Sequence, residues 1–311
     1  MRIGIDIMGG DFAPDSTISG VKLALKEIPD DTQLVLFGGK ESIIRSSGNG
    51  FDLSKVEVVD ASESLLMSDH PYKSFFSKKK SSIYKGFQLL KSGEIDAFCS
   101  AGNTGAMMIG ATQVINVIPK IIRPSISAEI PNLAGTPLIL LDVGLNPDSR
   151  PDVLYQYGII GKIYAESLFK IENPKVGLLN IGSEEDKGNL TTKAAFYLMK
   201  DSEDFNFVGN VEANDIFSEP GVNVLVCDGF VGNVILKAAE GFYKLIKSRR
   251  FSDDFFERFN FENFGGTPIL GVNKPVVVGH GISNNIAIKN MILHTYEVLK
   301  NELVNNIKAT L

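Results

Sequence analysis

The chain has no tryptophan, only two cysteines and three histidines, and no excess of positive charge. Neither cysteine belongs to a CxxC pair or a cluster with metal-ligand spacing, which excludes a disulfide framework and leaves no zinc motif, so no metal is expected. Cys99 and Cys227 each end a short apolar run, IDAFC and NVLVC, where a thiol packs as a small hydrophobe. Long hydrophobic runs are missing as well. The best one, residues 107–118, is interrupted by Gln113 and Asn116 and falls short of the roughly 18 apolar residues of a membrane span. The opening MRIGID has no apolar h-region or cleavage site, so a cytoplasmic location is expected. A net charge of -6 argues against nucleic acid as the principal partner, because binding a phosphate backbone needs a basic face.

What is present is a pattern of alternation. With 44% hydrophobic residues in 311, the chain can bury a large core. Short apolar runs bounded by glycine, proline or polar residues predict strands at 2–7, 33–37, 56–59, 95–99, 137–141, 175–179, 223–227 and 275–278. Amphipathic segments predict helices at 16–26, 82–91, 103–116, 152–169, 189–200, 233–247 and 284–305. Such alternation implies an α/β fold with a mostly parallel sheet covered by helices on both faces. No repeat or linker is visible. Pro119, Pro124, Pro131 and Pro137 punctuate one stretch, but apolar runs continue through it, so residues 1–311 are read as one α/β domain with an intimate second lobe.

The chemistry lies in the loops that leave the strands. Six strands end in polar, glycine-rich loops: MGGDFAPD, SAGNTG, DVGLN, NIGSEEDKGN, DGFVGN and GHGIS. In a parallel sheet such loops share the carboxyl edge, where open α/β folds place ligands, and they are expected to converge on one crevice. Glycine lets the backbone approach a ligand, and a helix starting directly afterwards favours an anion, phosphate in particular. SAGNTG and DGFVGN fit that pattern best. A local alternative is that Asn103 and Asn233 serve only as helix N-caps. Lys187, in EEDKGN, is either an anion contact or part of a solvated turn. Asp142 and Asp228 each end an apolar strand and suit either a site or a structural hydrogen-bonding role. His280, between two glycines, is the histidine expected to be accessible, whereas His70 and His294 are expected to be structural.

Two basic sets stand out, Lys78 to Lys80 with Lys73 nearby, and Lys244, Lys247, Arg249 and Arg250. The second borders a stretch holding seven of the twenty phenylalanines, between Phe242 and Phe264, with Phe255, Phe256 and Phe259 at helical spacing. A helical segment is expected at 238–264. Such an apolar surface belongs in the core, in a dimer interface or against a membrane surface.

At these loops the sequence resembles the PlsX family, the acyl-acyl-carrier-protein:phosphate acyltransferases of bacterial phospholipid synthesis. The resemblance is carried by MGGDFAP from Met8, KKKSS from Lys78, SAGNTGA from Ser100, RP at Arg123, LLDVGLN from Leu140, VGLLNIGSEEDKGN from Val176, GNVEANDI from Gly209, CDGFVGNVILK from Cys227, FGGTPILGVN from Phe264 and GHGIS from Gly279. It is colinear over nearly the whole chain. It implies a homodimeric three-layer α/β/α sandwich similar to phosphate acetyltransferases and isocitrate or isopropylmalate dehydrogenases. It also implies attack of inorganic phosphate on the thioester of acyl carrier protein, without a cofactor. The acyl phosphate product would serve a membrane glycerol-3-phosphate acyltransferase, with the enzyme working at the membrane surface. The chain departs from the family pattern at Phe12, where the family has histidine, at Phe76 and Ser77, where arginine precedes the lysine run, at Leu145 in GLN, and in a shortened segment between Lys237 and Gly265.

Phosphate is itself the nucleophile in such a reaction, and no Ser-His-Asp or Cys-His signature is present to supply another. Lys187, Asn233, His280 and Asp228 are therefore the expected catalytic residues, with Gly102, Asn103, Thr104, Asp142, Asn146, Asn189, Gly229 and Gly232 expected to bind phosphate or stabilise the oxyanion. The alternative is a nicotinamide-dependent dehydrogenase on a similar fold. Against it, MGGDFAPD lacks the G-x-G-x-x-G spacing, and no paired-aspartate metal site is evident.

Overall fold

The computed structural model describes residues 1–48, 51, 53–218 and 221–311. The chain forms two compact units, one of Met1–Ile118 with Phe261–Val304, the other of Pro119–Asn260 with Asn305–Leu311. The first unit begins with β1 (Arg2–Asp6), α1 (Asp15–Ala24), β2 (Gln33–Gly38), α2 (Lys40–Ser47), β3 (Val56–Asp60), α3 (Pro71–Ser77), α4 (Ser82–Ser92), β4 (Ala97–Ser100) and α5 (Thr104–Ile109), which runs into a π-type turn at Gly110–Val114. The second unit holds β5 (Ser125–Ile130), β6 (Leu138–Leu141), α6 (Pro151–Phe169), β7 (Lys175–Asn180), α7 (Leu190–Lys200), β8 (Asn206–Glu212), β9 (Val224–Val226), α8 (Gly229–Ser248) and α9 (Asp254–Glu257). The chain then returns to the first unit with β10 (Gly266–Leu270), β11 (Val276–Gly279) and α10 (Asn285–Lys300), and α11 (Leu303–Thr310) follows.

In the first unit the strand order is β3-β2-β1-β4-β11-β10, parallel except for β10, which runs antiparallel to β11. In the second it is β5-β6-β9-β7-β8, parallel except for β5. Side chains alternate between the faces of each sheet. Ile3, Ile5, Leu34 and Leu36 pack with Ile18 and Val21 of α1 and with Ile288, Met291 and Ile292 of α10. Phe98 instead meets Phe87 of α4 at 5.3 Å and Phe37 at 5.7 Å, through edge-on ring contacts. In the second unit Leu138, Leu140, Leu225 and Cys227 pack with Ile235 and Leu236 of α8. On the other face, Gly161 lets α6 close onto Val224 and Leu141. Each sheet is thus covered on both sides, as the alternation predicted.

Every expected strand is present, displaced by no more than about two residues at either end. Three strands escape the hydrophobic pattern, β5, β8 and β10. They stand at the ends of their units' strand orders and bury fewer side chains, so they lack a continuous apolar run. The helix expected at 284–305 is divided, with Glu302 at a φ of 53° between α10 and α11. The one expected at 233–247 begins earlier, at Gly229, because Asp228 caps it by accepting from the Val231 amide at 2.8 Å. The short helices α2 and α3 have no counterpart in the expected pattern, whereas α9 falls within the helical segment expected at 238–264.

Cys99 and Cys227 are buried free thiols, as expected, and burial pushes Cys99 up to about 12. His294 of α10 has its imidazole enclosed and is held down to about 4 for the same reason. On β5, Glu129 is pushed up to about 7 by burial of its carboxyl, an effect that the Tyr164 hydroxyl, donating at 3.1 Å, only partly offsets. The fold therefore favours the neutral acid. The stability this residue contributes is present at low pH and is lost as pH rises from the usual glutamate range through about 7. Glu129→Gln keeps a neutral partner for Tyr164 at every pH. Thermal melting should show the variant more stable than the wild type at pH 8, with the difference narrowing toward pH 5; a constant difference across that range would contradict the assignment.

Candidate active site

Three of the six polar loops belong to each unit. In the first unit, β1 and β4 are parallel neighbours, and the loops leaving them are tied at their bases. The Ser100 hydroxyl donates to Asp6 Oδ2 at 2.6 Å and accepts the Gly102 amide at 2.9 Å. The Met8 amide donates to Asp6 Oδ1 at 2.9 Å. The GHGIS loop joins them, since the Asp11 amide donates to the Gly281 carbonyl at 2.7 Å. Asn103 draws in a fourth segment. Its Oδ1 caps α5 at the Ala106 amide, and its Nδ2 lies within hydrogen-bonding distance of the carbonyls of Leu66, Met67 and Asp69. His280 is half-buried, with its ring 5.2 Å from that of Phe261.

In the second unit Asp142 has the corresponding place at the end of β6. Fully buried, it accepts from the amides of Ile126, Leu145 and Asn146 and from Asn146 Nδ2, at 2.6–3.2 Å. Burial pushes its carboxyl up, and these donors pull it back. Asn146 Nδ2 also reaches the Pro124 carbonyl at 2.7 Å and the Tyr157 hydroxyl at 2.8 Å. The DGFVGN loop closes over this frame, the Gly229 amide donating to the Asn146 carbonyl at 2.8 Å. A Cβ on Gly232 would overlap the Asp142 carbonyl oxygen. The third loop, NIGSEEDKGN, is held from β7 and β8 instead. Asn180 Nδ2 donates to the Lys187 carbonyl and to Asn210 Oδ1, and Asn210 Nδ2 donates to the Glu184 carbonyl.

These bonds sort the expected residues. Asn103, Asp142 and Asn146 are buried and committed to the frame, and the amides of Gly102 and Gly229 are already donated within it. At Gly102 and Gly229, two of the positions expected to bind phosphate, the glycine permits close approach while its own N-H group is used within the frame. Asp228 and Asn189 cap α8 and α7. Asn233 is not the cap that the local alternative supposed. It lies inside α8, exposed, with its side-chain carbons 3.6 Å from where a Cβ on Gly144 would stand. Thr104 is exposed at the first position of α5, and Lys187 is exposed in its turn, 3.6 Å from Glu184. The sequence reading did not single out Asp6, Ser82, Ser100, Tyr157, Asn180 or Asn210, although Asp6 closes the apolar run RIGID and Ser100 and Asn180 open two of the polar loops.

Among the described residues, no group of three or more His, Cys, Asp or Glu is placed to hold a metal ion. Residues 1–253 match the family described as fatty acid synthesis protein. The phosphate acyltransferase of Halothermothrix orenii is 41% identical over 99% of this chain and 98% of its own, and that of Dictyoglomus turgidum 40% identical over 97% and 95%. The chain belongs to the PlsX family of phosphate acyltransferases. Family membership makes it an acyltransferase with phosphate as a substrate, and it favours that reading over the dehydrogenase alternative. Among solved structures, a phosphotransacetylase from Streptococcus pyogenes aligns with 96% of this chain and 94% of its own at a TM-score of 0.67 and 16% identity. A branched-chain phosphotransacylase from Enterococcus faecalis aligns over 96% and 99% at 0.64 and 16%. A 4-hydroxythreonine-4-phosphate dehydrogenase from Klebsiella pneumoniae aligns over 96% and 98% at 0.57 and 11%. Likeness at such identities establishes the fold, the expected three-layer α/β/α sandwich.

The contact between Gly232 and Asp142 gives this PlsX-family frame a direct test. Gly232→Ala forces a methyl against a backbone carbonyl and against Cys227 Sγ, 2.9 Å away, and overpacking of this kind costs about 1–3 kcal/mol. A melting temperature several degrees below wild type is expected; an unchanged one would show that α8 does not sit on the DVGLN loop as described.

Proposed function

We propose that the chain transfers a fatty acyl group from acyl carrier protein to inorganic phosphate, giving an acyl phosphate for membrane phospholipid synthesis. A phosphate oxygen attacks the thioester carbonyl, the C-S bond breaks as the tetrahedral intermediate collapses, and the carrier thiolate leaves and takes up a proton. The observation that carries this reading is the pair of strand-end frames in a phosphate acyltransferase fold, each built on a buried aspartate and each leaving polar side chains at its surface. Thr104 in the first unit and Asn233 in the second are those side chains, while Lys187 is exposed on the separate turn held from β7 and β8 and His280 is half-buried in the first unit. Covalent catalysis by a cysteine is disfavoured, because both thiols are buried and pushed up in pKa by desolvation, far from the thiolate form.

The work then falls to positioning and charge stabilisation. Lys187 supplies positive charge to phosphate, and Asn233 offers an amide N-H to phosphate or to the developing oxyanion. His280 is the group we assign to pass a proton to the leaving thiolate. Asp228 and Asn189 fix the starts of α8 and α7, while Asp142 and Asn146 hold the loops in shape.

The family's description as fatty acid synthesis protein supports a fatty acyl group, and the surface of α8 supports the remaining partners. No helix among the described residues is long and apolar enough to cross a membrane. Yet Phe230, Val234, Phe242 and Leu245 of α8 are exposed, as is Phe251 beyond it. That surface suits a homodimer contact or transient attachment at the membrane, where the acyl phosphate would pass to a membrane glycerol-3-phosphate acyltransferase. Lys244, Arg249 and Arg250 are exposed beside it, whereas Lys247 is paired with Glu257 at 2.7 Å. The three residues outside that ion pair are the better docking patch for an acidic carrier protein.

The deciding assay supplies acyl carrier protein thioester and phosphate to the purified protein without a cofactor and traps acyl phosphate with hydroxylamine. Its absence would refute the reading. Lys187→Ala and Asn233→Ala should each lower turnover at least about tenfold with the fold intact, since an oriented donor is worth about 2–4 kcal/mol in the transition state; full activity in both removes them from the site. Replacing Lys244, Arg249 and Arg250 by glutamate should raise KM for acyl carrier protein several-fold, less so at high salt, with KM for phosphate nearly unchanged. Equal constants at every ionic strength would place docking elsewhere.

A further inference from the structure

Asp6 has no part in the site read from the sequence, although Asp6 and Asp142, at 1% and 0% exposure, are the acidic residues buried outright among the described residues. The register of β1 and β4 puts Ile5 opposite Cys99, which brings the next residues of the two strands, Asp6 and Ser100, together. The carboxylate then accepts from donors in three segments: the amides of Met8 and Gly9, the Ser100 hydroxyl and the Ser82 hydroxyl at the start of α4. Ser100 relays the contact by accepting the Gly102 amide. Gly9 is pressed so close that a Cβ there would overlap Asp6 Oδ2 and stand 2.6 Å from the Gly102 amide nitrogen. One buried group thus fixes both the MGGD and the SAGN loop.

A carboxylate is a costly occupant of this place. Burial pushes its pKa up, and the hydrogen bonds from Ser100, Ser82, Met8 and Gly9 are what oppose that shift. An apolar side chain would fill the space without the penalty but would orphan four donors. An asparagine would turn an N-H group toward them. Only an acceptor without a donor of its own satisfies the whole set.

We infer that Asp6 is a positioning residue for phosphate, acting through Ser100 on the backbone of the two glycine loops in the first unit. The inference rests on the acyl transfer proposed above. Asp6 touches no substrate; it sets the path of the loops, one of which presents the exposed Thr104 to phosphate.

Asp6→Asn preserves shape and reverses the hydrogen-bonding sense of one atom, and Ser100→Ala removes a single hydroxyl. Both folded variants are compared with wild type for kcat, for KM of phosphate and of the acyl donor, and by calorimetric titration with inorganic phosphate, which needs no turnover. Expected is a rise of about tenfold in KM and dissociation constant for phosphate in Asp6→Asn and about threefold in Ser100→Ala, with KM for the acyl donor within about twofold. A lowered melting temperature with unchanged constants in the folded fraction marks a purely structural role and overturns the inference. Should Asp6→Asn fail to fold, Ser100→Ala decides alone by the same criteria. If the wild type binds phosphate but forms no acyl phosphate, the acyl-transfer reading fails while the titrations still decide the role of Asp6. A wild type that does not bind phosphate overturns both.

Discussion

The structure of both strand-end frames depends on a carboxylate held away from water and surrounded by hydrogen-bond donors. Asp6 in the first unit and Asp142 in the second lie at or just past the end of a parallel strand, and each collects the amides of its own loop. Removing a carboxylate from water is unfavourable, and both groups are pushed up in pKa by burial. The donors compensate only if they arrive together and in register. That requirement makes the loops rigid, because a shift of either backbone leaves a buried charge without a partner.

The glycines matter because of this arrangement. At Gly9 and Gly232 the neighbouring chain passes where a Cβ would be, so the loop can lie directly on the buried frame. Much of the polar capacity is consumed in the process. The amides of Gly102 and Gly229, the side chain of Asn103 and that of Asn146 are spent on holding loop to loop. The side chains left outside these bonds, Thr104 in the first unit and Lys187 and Asn233 in the second, are exposed. Rigid inner bonds and accessible outer side chains suit a reaction whose nucleophile is brought by the substrate, for which the enzyme must supply orientation and charge.

The fold was legible where burial imposes a simple pattern. A strand flanked by two others and covered by helices on both faces must be apolar throughout, and β1, β2, β4 and β9 read that way. β5, with SISAEI, and β8, with NFVGNVE, alternate with polar residues and lack that signature. The site was legible as a set of loops and less so as a set of roles. Asn103 looked equally like a cap and a ligand; it is the α5 cap and also the tether of the segment from Leu66 to Asp69, more than thirty residues away in sequence. Nothing near position 103 records those carbonyls.

The sequence by itself determined that strands alternate with helices, that six polar glycine-rich loops close the strands, and which family the motifs resemble, since each of these depends on residues close together along the chain. Tertiary structure alone decided which polar groups face one another. Asp6 and Ser100 are 94 positions apart and meet only because β1 and β4 pair in one register; Cys227 lies against the Asp142 carbonyl across 85. A hydrogen bond is satisfied over about 3 Å, a scale on which strand pairing rather than sequence distance determines the neighbours. For that reason the buried carboxylates, which the local pattern marks only as acids at the ends of apolar runs, acquire their role in the folded chain.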